Sequence, residues 1–136
     1  MIVVFDTNIV VSSLFSPQGN EARVVSLLLQ RQIVAAISVA TLAEYELVLS
    51  RPKFSFAFAF SKTSELLHLI SATALMVEPH RRLKISPDDS DNRFIEYAEA
   101  ASADFLITGN KRHFPASYGR TKIVNAREFL SAIQAL

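Results

Sequence analysis

The sequence predicts an α/β fold, three layers (α/β/α) around a mainly parallel central sheet. Three observations predict it. Short apolar runs without polar alternation recur along the chain, as strands buried on both faces require. Segments with helical apolar spacing separate them. The alternation runs from end to end, and a strand that returns through a helix lies parallel to its predecessor.

Ile2 to Phe5 is the first strand-like run, and a polar segment with Pro17 and Gly19 follows it. Asn20 is placed to cap a helix carrying Val24, Val25, Leu27, Leu28 and Leu29. Ile33 to Ile37 is the second strand. Ser38 or Thr41 caps a second helix, which runs through Leu49 and is ended by Pro52. Thr63 to Ala74 reads as a helix with Leu66, Leu67, Leu69 and Ile70 on its apolar side. Leu75 to Val77 is a short strand stopped by Pro79. The polar, acidic stretch Pro87 to Asn92 leads into a helix with Phe94, Ile95, Ala98 and Ala101. Phe105 to Thr108 is a strand closed by Gly109, Lys122 to Val124 is the last strand, and Ala126 to Leu136 the last helix. Phe54, Phe56, Phe58 and Phe60 alternate with small residues. On a strand their rings would share one face. Core packing is the expectation, and an exposed apolar surface for a partner is the sharper alternative.

The 136 residues suit one domain, 1–136, with no linker, repeat or low-complexity segment. Half the residues are hydrophobic and a fifth charged, an ordinary globular composition. No apolar run approaches the ~20 residues that span a membrane. The start of the chain has no basic n-region or cleavage site. With no cysteine, disulfides and thiolate metal sites are excluded, and a cytoplasmic setting is expected. A net charge of +1 gives no broad basic field, so nucleic-acid contact would need a local patch.

In open α/β sheets the ligand crevice lies beyond the C-terminal ends of the strands. Asp6 follows the first strand directly, and Asn110 follows the Phe105–Thr108 strand. Glu44 lies near the start of the helix after the second strand. Glu46 is turned about 200° from it, so only one of the two faces a given site. Asp91 precedes the Phe94 helix, as do Asp88 and Asp89, which read as helix caps. Asp104 sits at the opposite end of its strand and reads as structural. Converging carboxylates repel and raise each other's pKa unless a proton or cation intervenes. Mg²⁺ or Mn²⁺, which take oxygen ligands, resolve that conflict. Such an ion activates water and stabilises charge on a phosphodiester. The three histidines are scattered, so zinc is not expected. His68, among leucines, reads as packing, and His80, beside Arg81 and Arg82, as a solvated face.

These residues resemble the PIN domain family. The carriers are the leading strand with Asp6-Thr7-Asn8, then Asp91-x-x-Phe94-x-x-x-Ala98, then Ala103-Asp104-Phe105-Leu106-Ile107-Thr108-Gly109-Asn110. They run in order along the whole chain. Arg51-Pro52-Lys53-Phe54 resembles the VapC-like toxin branch of type II toxin–antitoxin systems. The resemblance implies a Rossmann-like parallel sheet and a metal-dependent endoribonuclease acting on single-stranded RNA. It implies Asp6, Glu44 and Asp91 as the catalytic acids, with Mg²⁺ or Mn²⁺ on Asp6 and Asp91 and with Glu44 orienting the attacking water or completing the metal site. Asn110 matches the fourth acid of the family but is an amide, which puts a second metal in question. Thr7, Asn8, Thr108 and Asn110 would bond metal waters or phosphate, and Lys111, Arg112 and His113 are candidates for the RNA backbone. A cognate antitoxin and a homodimer are implied partners, and the Phe54–Phe60 array is the candidate docking surface.

Two other classes compete. A PIN-like interaction module with weak or no catalysis would keep the fold, and Asn110 leans that way. A phosphoaspartate protein also places an Asp after its first strand. A dehalogenase-type phosphatase, however, needs a second acid where Asn8 stands, and nothing after Ile33–Ile37 supplies the phosphorylated Asp of a receiver.

Overall fold

The structure, a computed structural model, describes residues 1–55 and 60–135. Its strands are β1 (Ile2–Phe5), β2 (Val34–Ile37), β3 (Leu75–Met76), β4 (Phe105–Ile107), β5 (Ser117–Tyr118) and β6 (Thr121–Val124). Its helices are α1 (Thr7–Phe15), α2 (Asn20–Leu29), α3 (Val39–Leu49), α4 (Pro52–Ser55), α5 (Phe60–Thr73), α6 (Asp89–Ala101) and α7 (Ala126–Gln134), with a 3₁₀ turn at Lys111–His113.

The strand order is β3-β2-β1-β4-β6-β5, and only the β5–β6 pair is antiparallel. The chain builds outward from β1 to β3, then resumes at β4 on the other side of β1. That reversal opens a crevice beyond the C-terminal ends of β1 and β4, where ligands of such sheets bind. Asp6 N still donates to Ile107 O at 3.0 Å, and Thr108 N to Val124 O at 2.9 Å. The ladder therefore stays ordered to the lip of the crevice.

Both faces of the sheet are covered, which makes the fold the expected three-layer α/β/α arrangement. On β1, Val3 and Phe5 enter one core with residues of α1, α2, α3, α5 and α7. Val4 enters the other with Leu83, Phe114 and the α6 residues Phe94, Ile95, Tyr97 and Ala98. This double burial is why β1 shows no polar alternation.

The structure departs from the sequence reading in several places. Helix α1 follows Asp6 directly, in place of the expected polar segment. Asp6 both closes β1 and serves as the N-cap of α1, with extended φ −63° and ψ 147°. Gly19, rather than Asn20, is the N-cap of α2. Ser38 caps α3: Thr41 N donates to Ser38 Oγ at 3.0 Å, and Ser38 N donates back to Thr41 Oγ1. Strand β5 and its turn at Gly119, held at φ +56°, have no counterpart in the sequence reading, being only two residues and a reversal. His68 does not pack: Leu66 and Ile70 carry the buried side of α5, and His68 is turned to solvent. Phe54 is buried and meets Phe15 edge-on, with ring centroids 5.5 Å apart. Phe56, Phe58 and the side chain of Phe60 lie outside the described residues, as does Leu136. Among the described residues no helix is long and apolar enough to cross a membrane.

Candidate active site

Asp6 is delivered by β1 and is only 7 % exposed. Thr108, fully buried at the end of β4, donates its hydroxyl to Asp6 Oδ2 at 2.7 Å. Thr108 Oγ1 in turn accepts the Asn110 N–H at 3.0 Å. Burial pushes the Asp6 carboxyl above its ordinary pKa. Thr108 and the Thr7 and Asn8 amides pull it back, and Glu44 adds repulsion.

Glu44 comes from α3. Thr41, Tyr45 and Leu49 form the buried stripe of that helix, so Glu44, next to Tyr45, is half-buried while Glu46 points to solvent. The Thr7 hydroxyl donates to Glu44 Oε2 at 2.6 Å. Tyr45 donates its hydroxyl to Phe5 O at 2.9 Å, which locks α3 to the tip of β1. Burial pushes the Tyr45 phenol far up, so it stays a donor.

Asp91 lies in the first turn of α6 and is 8 % exposed. Burial raises its pKa first, then repulsion from Asp6 and Asp88, while His113 opposes the rise. His113 Nδ1 is 3.3 Å from Asp91 Oδ2, close enough for an ion pair but without hydrogen-bond alignment. Asp91 Oδ2 is thus a buried carboxylate oxygen with no hydrogen bond. Asp88 caps α6, accepting from Ser90 N at 3.0 Å and Ser90 Oγ at 2.7 Å. Asn92 fixes the approach to this turn: its Oδ1 accepts from Ile85 N and Ser86 N at 2.9 and 2.7 Å, and its Nδ2 donates to Ser86 O.

Asp6, Glu44 and Asp91 therefore meet electrostatically: Glu44 repels Asp6, and Asp6 repels Asp91. Among the described residues, the three groups whose ligand atoms all lie within 4.8 Å of one another are Asp88, Asp91 and His113. Glu44 and Asp6 stand outside that set. In the sequence, Asp88 reads as a cap and His113 as a candidate for the RNA backbone, neither as a metal ligand. The spacing of Asp88 and Asp91 carries the signal, because residues three apart at a helix start share a face. Thr7, Asn8 and Thr108 are expected on metal waters or phosphate. In this structure they hold the acids and each other's backbone: Asn8 Oδ1 accepts from Gly109 N at 3.2 Å. A Cβ on Gly109 would come 3.3 Å from Asn8 Oδ1, so a larger residue there would press the Asn8 amide aside by a few tenths of an ångström. Asn110 is exposed at the rim, and its side chain makes no capping bond. Lys111 is paired with Glu128 at 2.8 Å, while Arg112 is exposed. Asp104 is at the other end of β4, where it accepts from Ile2 N at 2.9 Å and pairs with Arg120 at 2.7 Å.

The donor set fits a hard divalent cation. It offers carboxylate oxygens, one of them buried and without a hydrogen bond, and the mutual repulsion is the kind a cation relieves.

A family model for the PIN domain matches residues 2–112, which include all the acids above and the Thr108-Gly109-Asn110 rim. The chain belongs to the PIN domain family. This PIN domain is similar to the uncharacterized protein MJ1680 of Methanocaldococcus jannaschii, at 28 % identity over 110 residues, 80 % of this chain and 70 % of that one. Its fold is similar to a chain in the crystal structure of VapBC2 from Rickettsia felis bound to a DNA fragment from the promoter. That match has a TM-score of 0.58 at 19 % identity and covers 92 % of this PIN domain and 98 % of the other chain. The PIN motifs have a physical reason to occur together. Asp6 needs the Thr108 hydroxyl, and Asn8 needs the Gly109 amide.

Proposed function

We propose that this PIN domain is a Mg²⁺- or Mn²⁺-dependent endoribonuclease that cleaves phosphodiester bonds of single-stranded RNA. The observation that carries the reading is Asp91. It is a buried carboxylate whose Oδ2 has no hydrogen bond and faces only the His113 ring at 3.3 Å, and its pKa is raised by burial and by two further acids. An isolated arrangement of this kind is costly, and a cation offsets the cost. Asp91 and Asp6 would hold the ion, with Glu44, Asp88 and His113 at its margin. Bound there, a divalent ion supplies Lewis acidity toward a phosphoryl oxygen and makes its water more acidic.

The chain's own residues do the rest. Glu44, aimed by Thr7, accepts the proton of the attacking water. Thr108 orients Asp6 and opposes the rise in its pKa. Asn110 presents a neutral amide at the rim, a donor toward a phosphate oxygen where a fourth acid would repel it. Arg112 and Lys111 contact the RNA backbone.

We further propose that the chain acts in the cytoplasm as a single-domain homodimer and as the toxin of a toxin–antitoxin pair. The support is family membership together with a fold match to a chain of a VapBC complex. The test is incubation of the purified chain with single-stranded RNA. Cleavage in Mg²⁺ or Mn²⁺ and none in EDTA is expected. Cleavage insensitive to EDTA overturns the metal-dependent reading. For the toxin role, growth arrest on expression, reversed by the product of an adjacent reading frame, is expected.

A further inference from the structure

A groove of about 760 Å³ opens beside the acidic crevice. Its floor is apolar: Val39, 76 % exposed, and Met76, 48 % exposed, line it beside Pro79. Its rim carries His80, Arg81 and Arg82, with Glu78 as an exposed acid beside them. Arg81 is paired with Glu99 at 2.8 Å, whereas Arg82 has no ion pair among the described residues. The start of α3 also lines the groove, at Val39 and Ala40. The first amides of a helix carry partial positive charge and have no partner inside the helix.

A smaller cavity of about 130 Å³ lies beside this groove, and Glu44 lines it together with Ala40, Arg93 and Tyr97. The last three line the larger groove as well. Glu44 and Arg82 therefore line neighbouring cavities that share these three residues as a wall. Arg93 is held in the wall by Glu96 at 2.9 Å and Asp89 at 3.0 Å. Glu96 is 1 % exposed, yet its Oε1 has no hydrogen-bond partner, and neither has Arg93 Nε. Buried polar atoms are ordinarily satisfied by the chain, by water or by a ligand.

We infer that this groove seats a nucleotide of the RNA next to the scissile phosphate, with its base on the Val39–Met76–Pro79 floor and its backbone phosphate against Arg82 and the start of α3. This placement rests on the ribonuclease reading of the acidic crevice. The exposed Arg82 charge selects a polyanion. The flat apolar floor selects a base face, as on single-strand binding surfaces, over an acidic polypeptide. Lys111 is the weaker anchor, since its charge is already met by Glu128.

The test measures binding of a fluorescein-labelled 12-nucleotide single-stranded RNA to the full chain in EDTA, so that cleavage plays no part. The double variant Arg81→Gln, Arg82→Glu is expected to weaken binding at least tenfold. It should also flatten the slope of log K against log salt by about 0.7 for each phosphate left without its cation. With Mn²⁺ present, KM should rise by a similar factor. Lys122→Glu, a charge reversal at the far end of the sheet, is the control and should leave affinity within twofold of native. Equal weakening by both variants, or native affinity in the double variant, overturns the proposal. So does a double variant that keeps RNA affinity but loses binding of a polyglutamate peptide, which would make the groove a protein-docking site. Asp91→Asn separates the two readings. If that variant cleaves RNA at the native rate, the assignment of the acidic crevice fails, whatever the binding result in EDTA.

Discussion

Thr108 gives its one hydroxyl two partners, donating to Asp6 Oδ2 and accepting from Asn110 N–H, while itself fully buried. Thr108→Val keeps the shape and removes both bonds. Leaving a buried carboxylate oxygen unmet costs about 1–3 kcal/mol. Chemical denaturation should show a loss of that size, with cleavage reduced as Asp6 protonates more readily. Asp91 predicts the opposite sign. Its pKa is raised in the folded chain, so the native state holds that proton more tightly than the unfolded state does. Its contribution to stability is therefore favourable at acid pH and is lost as pH rises from the unfolded value of about 3.9 through the raised one. Without metal, Asp91→Asn should melt higher than the native chain at pH 7, and the difference should shrink toward pH 4. A variant that melts lower at pH 7 would mean that the carboxylate is not strained by its neighbours.

The loop ahead of α6 shows how one amide organises an element. Asn92, 2 % exposed, makes three backbone bonds to Ile85 and Ser86. Glu96 adds a fourth tie, accepting Leu83 N–H at 2.8 Å. Asn92→Ala should cost about 2–4 kcal/mol by the usual worth of such bonds and of the groups left unmet. Hydrogen exchange should accelerate across residues 83–88, loosening Asp88 with them. Tyr45→Phe removes the tie between α3 and the tip of β1, for about 1 kcal/mol, and should lower cleavage through misplacement of Glu44. The strands and the longer helices are legible in the sequence because apolar runs and helical spacing are local signals. Helix α1 is not. Its start is Asp6 itself, an acid that closes a strand and caps a helix in one position, and its apolar residues Ile9 and Val10 follow too soon after β1 to be separated from it. Strand β5 is too short to carry a pattern. For α3, the sequence leaves Glu44 and Glu46 as equal candidates. The burial of Tyr45 decides between them, and that burial depends on β1, forty residues away.

Across the whole molecule, the reversal of strand order between β1 and β4 brings together residues from both ends of the chain. Asp6, Glu44, Asp91 and Asn110 are legible as candidates because strand ends and helix starts point to a crevice. That Asp88 and His113 join Asp91, and that Thr7, Asn8 and Thr108 hold the acids, depends on side-chain geometry that spacing does not encode. The gathered charge predicts a stability that depends on divalent ions. A cation that binds only the folded chain raises its stability by about 2.7 kcal/mol at a hundred times its Kd. Calorimetry with and without Mn²⁺ should show that gain in the native chain and little of it in Asp91→Asn. Cleavage of single-stranded RNA in Mn²⁺ by the native chain, Asp6→Asn and Asp91→Asn tests the acidic crevice most directly. Both variants should stay folded and lose at least about a hundredfold in rate, a few kcal/mol of transition-state stabilisation. Native-like cleavage by either variant would contradict the assignment.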